Sequence, residues 1–372
     1  MRRLPFLALG MVAVLAGMWA GLVRLGWGLP ALGSNLPAEH GPLMVLGFLG
    51  TLIGLERAVA LGRRWAFACP AATGLGALAL VAGLPPVAGY AAMLAGGGVL
   101  AAVFLTALRL QPSAHTRVMA LGAVCWLVAA ALLVIGWDVS LLVPWLAGFL
   151  VLTIVGERLE LSRMVQLTRA ARRALLGAIG VFSAGLAISL VGPAAGVRAA
   201  GVGLVLQAAW LLRFDAARRT VRTPGLPRYV ALCLLPGYAW LAAGGALWAG
   251  FGTLADGPAY DAMLHAVFLG FVMSMVFGHA PIIVPAVFGR HVRLSRSSYV
   301  PVVLLHAALL ARLVGGDLLG DLALRRWGGL ANVVAVLAFL AATAVSVAAG
   351  RGRPLRAAPV RPAVTPSRAS SE

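Results

Sequence analysis

Four of the six histidines, His40, His265, His279 and His306, fall inside or at the ends of stretches apolar enough to cross a bilayer. Neutral imidazole is the commonest metal ligand and a frequent haem ligand. An ionisable side chain in a bilayer core costs at least about 2.5 kcal/mol unless it is paired or ligated, so each of these is a candidate functional group. The stretch 262–289, "AMLHAVFLGFVMSMVFGHAPIIVPAVFG", carries two of them, His265 and His279. At about 1.5 Å rise per residue they stand roughly 21 Å apart along a helix and about 40° apart around it. They cannot serve one metal, so the helix contributes to two layers.

The elements that position these groups follow from composition. The chain has 372 residues, 61% hydrophobic and 11% charged, with a mean hydropathy of +0.96. These values exclude a soluble globular domain and point to an all-α, polytopic membrane helix bundle. The net charge is +19, and all 30 basic residues are arginine, nearly all between apolar runs. The charge is therefore topological and implies no nucleic-acid partner; the partner is the lipid bilayer. About 20 apolar residues span a bilayer core. Runs of that kind lie near 5–27, 41–62, 66–84, 87–109, 116–137, 140–162, 174–193, 195–213, 229–251, 259–281, 298–316 and 327–349, which makes about twelve transmembrane helices. Connections after even-numbered spans, such as "RAARR" at 169–173 and "RRTVR" at 218–222, hold most of the arginines. The bias places both termini in the cytoplasm, as expected in a bacterial inner membrane. Residues 1–349 read as one transmembrane domain with an uncleaved first span. Residues 350–372, rich in Pro, Arg and Ala, read as a disordered cytoplasmic tail able to touch anionic lipid. Cys69, Cys125 and Cys233 fall singly in apolar runs and read as packing residues.

Spans two and ten run in the same direction, so His40 and His265 share one depth near the outer face. His279 near the inner end of span ten, His306 in span eleven, and Glu56, Arg57, Glu157 and Arg158 form an inner layer. The inner histidines are candidates for a second metal site or for structural hydrogen bonds. The Glu and Arg pairs are expected to satisfy one another between spans two and six, or to relay protons. The stripe His40, Met44, Gly47, Thr51, Gly54, Ala58 leaves room for a flat macrocycle or a close helix. Arg312, Arg325 and Arg326 lie at the outer side, where haem propionates need charge-assisted partners; they also have Asp317 and Asp321 nearby to balance. Pro281 and Pro285 should end or kink span ten. His115 and His291, in arginine-rich connections, read as solvated.

"EHGPLMVLGF" at 39–48 resembles the "H-G-x-x-M" segment of helix two in the catalytic subunit of heme-copper oxidases. It is also similar to the opening of span two in the NnrS family, twelve-span haem and copper proteins linked to nitric oxide stress. "LHAVFLG" at 264–270 and "GH" at 278–279 resemble later NnrS segments, and "LRRW" at 324–327 resembles the oxidase arginine pair that holds haem propionates. The resemblance implies a b-type haem held by His40 and His265, with Met44, Arg312, Arg325 and Arg326 around it, and copper as a second metal. Spans six and seven contain no histidine, which argues against a binuclear oxygen-reducing centre. The expected function is a haem-binding membrane protein of respiration or nitric oxide response, with respiratory-chain proteins as partners. The alternatives are a proton-coupled secondary transporter that uses the embedded Glu, Arg and His, and an assembly partner of a respiratory complex.

Overall fold

A computed structural model describes residues 3–30, 35–162, 167–289 and 292–349. The expected tail at 350–372 and His291 lie outside the described residues. Among those described, twelve helices are long and apolar enough to span a membrane. They are α1 (Leu4–Arg24), α2 (His40–Leu61), α3 (Arg64–Val81), α4 (Pro86–Leu110), α5 (Ala114–Val134) and α6 (Val139–Leu161), followed by α7 (Arg169–Ser189), α8 (Pro193–Phe214), α9 (Leu226–Phe251), α10 (Gly257–Phe288), α11 (Arg296–Leu318) and α12 (Leu322–Ala348). The chain is a multi-pass, all-helical membrane protein.

Local signals set the ends. Ser113 and Thr168 accept the backbone N–H groups of Thr116 and Ala171 and so cap α5 and α7. Gly62 and Gly289, at φ of 69° and 66°, close α2 and α10 in the left-handed conformation that glycine adopts without penalty. The prolines of span ten do not end it: α10 continues through Pro281 and Pro285 to Phe288. Their missing N–H groups are tolerated because the helix is packed on neighbouring helices there.

Consecutive helices pack as hairpins, α3 on α4, α5 on α6, α7 on α8 and α11 on α12. Close approach depends on small residues; a Cβ on Gly185 of α7 would lie 2.3 Å from the backbone nitrogen of Ala200 on α8. In its most apolar window α6 is 83% buried against 22% for α12, so α6 is the central span. It touches both α2 and α10, which also meet each other toward their C-terminal ends. The three helices that carry most of the candidate groups therefore converge on the bundle axis.

Three of the helices change winding. Leu43–Gly50 in α2, Ala266–Met273 in α10 and Ala311–Leu318 in α11 adopt the wider π-helical turn. The first two begin within three residues of His40 and His265, and the third contains Arg312. Such turns are frequent at functional sites.

Candidate functional site

His40 opens α2 and His265 ends the α-helical first part of α10. Their ring centroids stand 6.3 Å apart with planes inclined by 30°. The histidines expected to share one depth thus face each other across a gap.

Each ring is held by its Nδ1. His40 Nδ1–H donates to the Gly17 carbonyl on α1 at 2.7 Å. His265 Nδ1–H donates to the Asp261 carbonyl at 2.9 Å and lies 3.2 Å from the same residue's Oδ1. A carbonyl oxygen can only accept, so the proton sits on Nδ1 in both rings and the lone pair is on Nε2. Neither Nε2 has a hydrogen-bond partner among the described residues. A second hydrogen bond that fixes the tautomer and orientation in this way is the usual support of a metal-binding histidine. Two imidazoles bound end-on to opposite sides of one metal, at about 2 Å per bond, have ring centres roughly 6 Å apart. The centroid interval matches that spacing, while the two rings lie stacked.

The surroundings are built for this placement. Gly21 on α1 has no side chain where a Cβ would come within 2.9 Å of His40 Cε1, so the ring packs closely against α1. Met44 Sδ covers Gly17 in the same way, which makes Met44 a packing residue on the α1 side. Farther along the stripe, Gly47 takes Ala13 and Ala77, and Gly54 takes Cys69. Of the two occupants expected for the stripe, a flat macrocycle or a close helix, this part takes the close helices α1 and α3.

The outer arginines divide into two kinds. Arg312 binds both carboxylate oxygens of Asp261, at 2.9 and 2.8 Å, and Arg325 pairs with the buried Asp317 at 2.9 Å. Arg326 instead donates to the Gly26 carbonyl at 2.9 Å and lies over the Trp27 ring. Arg24 donates to the Pro37 carbonyl at 3.5 Å. Arg24 and Arg326 carry no carboxylate partner among the described residues, and Arg24 and Arg312 are both within electrostatic reach of His40. Just before α2, Glu39 is buried and accepts the Tyr90 hydroxyl at 2.7 Å. Burial raises its carboxyl above the usual range.

The inner layer has a different chemistry. Arg57 of α2 pairs with Glu157 of α6, as expected, and also with its neighbour Glu56 at 3.1 Å. Arg158 does not return to α2. It binds both oxygens of Asp215, just beyond α8, each at 2.8 Å. His279 donates from Nδ1 to the Met275 carbonyl, and its Nε2 lies 3.4 Å from Arg158 Nη1. His306 accepts the Trp240 indole N–H on Nδ1 at 3.1 Å, with Ser274 Oγ 3.5 Å from its Nε2. The inner histidines go to separate partners, and both lone pairs are already engaged by donors. Among the described residues no group of three or more His, Cys, Asp or Glu gathers as a metal set. His115 is buried rather than solvated, with Ser113 at 3.1 Å and Glu160 at 3.7 Å.

Asp261, Asp215, Glu39 and the α1 glycines were not legible as site residues. Asp261 had a usable signal, a carboxylate four residues before a histidine on one helix face. Asp215 had none, since its partner is distant in sequence.

No curated protein matches the chain, and no solved structure does. The family described as "Domain of unknown function (DUF8744)" matches residues 3–348, almost the whole described bundle, and the chain belongs to that family.

Proposed function

We propose that the protein binds a b-type haem near its outer face, which His40 and His265 would hold, and serves one-electron transfer in the membrane. The observation that carries this reading is the facing pair of imidazoles, each oriented through Nδ1 and each with a free Nε2. When bound, haem iron supplies one-electron redox chemistry. Asp261 and Arg312 hold His265 at its angle, and Gly17 and Gly21 do the same for His40. Arg24 and Arg326, free of carboxylates, are the donors available to propionates. Arg312 is balanced by Asp261, so Arg24 is the guanidinium within reach of His40 whose charge a ligand's own negative charge would meet. Placement in a bacterial inner membrane with cytoplasmic termini, kinship with the NnrS group, and a role in respiration or nitric oxide response belong to the same proposal.

A second reading, proton-coupled transport, draws on one observation, the Arg57 bridge between Glu56 and Glu157 inside the bundle. The two readings separate in one set of measurements. Purified protein from haem-replete cells should show a Soret band and a sharp reduced α-band, both lost in His40→Ala and His265→Ala. Glu56→Gln and His279→Gln should keep the chromophore. A preparation that stays colourless after haem addition sinks the haem proposal, and metal analysis of the same sample then decides whether copper occupies the pair.

A further inference from the structure

The arginine-rich end of the bundle contains a concavity of about 620 Å³ between the start of α7, the end of α8 and the short helix Ala217–Thr220. Arg213, Arg218, Arg219 and Arg222 line it, with Phe214 and Asp215. Its volume falls within the range of small-molecule sites, roughly 300–1,000 Å³.

Among the described residues the charge in this concavity is not neutralised: Asp215 is the one carboxylate that lines it, and both its oxygens are taken by Arg158, with the Ala217 N–H also on Oδ1 at 2.8 Å. Two of the arginines are held in place by contacts that leave their charge intact. Arg213 lies 5.1 Å over the Phe214 ring, and Arg218 donates to the Arg213 carbonyl at 3.1 Å. The positive-inside bias explains the sign of these charges but not their convergence on one hollow. Arginine forks match phosphate oxygens in geometry and charge.

We propose that this concavity is a binding site for a phosphate-bearing anion, either a lipid headgroup or a soluble phosphate compound. It is independent of the haem reading.

Native mass spectrometry on the full chain in detergent tests the proposal, with phosphatidylglycerol, phosphatidylcholine and pyrophosphate as probes. The wild type should retain phosphatidylglycerol over phosphatidylcholine, or bind pyrophosphate, or both; which probe binds identifies the source. The Arg218→Gln, Arg219→Gln, Arg222→Gln triple variant should lose about tenfold in affinity for that probe. Arg213→Gln with Arg222→Gln serves if the triple variant unfolds. Arg64→Gln with Arg109→Gln, exposed arginines outside the concavity, should change nothing. Equal losses in the control and cavity variants, undiminished binding in the cavity variants, or binding of none of the anionic probes would overturn it.

Discussion

Arg312 on α11 clasps the carboxylate of Asp261 on α10 with two guanidinium nitrogens, one helical turn ahead of His265. The pair ties the ring that faces His40 to a neighbouring helix, and the ring's own Nδ1 is bonded to the Asp261 carbonyl.

Breaking that clasp should loosen the ligand without removing it. Arg312→Gln and Asp261→Asn are expected to lower haem affinity by about 10- to 100-fold, the usual cost of losing a ligand's supporting hydrogen bond. Titration of the apo-protein with haem measures it. Unchanged affinity in both variants would mean that His265 is oriented by its backbone alone.

Gly21→Ala places a Cβ 2.9 Å from His40 Cε1. Overpacking of this kind costs about 1–3 kcal/mol, so both thermal stability in detergent and haem content should fall. Gly98→Ala on α4, where a Cβ meets nothing within 4 Å, should be neutral or slightly stabilising, by less than about 1 kcal/mol.

The Arg158 and Asp215 pair is buried on both sides. Removing one partner strands a charge, so Asp215→Asn or Arg158→Gln should each destabilise the protein by about 3–5 kcal/mol. Arg158→Met with Asp215→Leu should recover much of the loss, because neither charge then stays buried alone. A double-mutant cycle on unfolding yields the coupling directly.

Glu39 supplies a pH dependence. Burial raises its carboxyl above the ordinary 4.5, so the folded state holds that proton more tightly than the unfolded state does. This contribution to stability is complete below about pH 4.5 and is lost as pH rises through the raised folded value. Glu39→Gln should flatten the wild-type decline over that window in chemical unfolding. An identical slope in the variant would place the titration elsewhere.

The twelve spans were legible because their apolar length is imposed by the bilayer and the arginine bias marks their connections. His40 and His265 were legible as a pair for the same reason: two helices of one direction bring their first residues to one depth. Depth, however, carries no rotational information. Arg57 found Glu157 as expected, whereas Arg158 turned to Asp215, a residue whose relevance depends on how α8 sits against α6. The same gap left open the two roles expected of the inner histidines, metal ligand or hydrogen-bond partner: Arg158 and Trp240 reach them from helices whose rotation no periodicity specifies. Of the two outcomes expected of Pro281 and Pro285, a helix end or a kink, the end does not occur, since α10 runs through both to Phe288 where neighbouring packing holds it.

The wide turns in α2 and α10 have a consequence for how the two layers coexist. A π turn behaves as one extra residue absorbed into an α-helix, so it shifts the residue numbering of the helix beyond it by one against its angular position. On α10 the segment Ala266–Met273 lies between His265 and His279; on α2, Leu43–Gly50 lies between His40 and Arg57. Each helix is thus indexed twice, once for the outer ring pair and once for the inner ion pairs, with the π segment as the offset between the two settings. Deleting one residue within Ala266–Met273 would restore ordinary winding and leave both layers in their present phase, whereas deleting one residue from the α-helical turn that follows, before His279, would turn one layer by about 100° against the other. Only the second deletion would swing His265 away from His40 while His279 kept its partners.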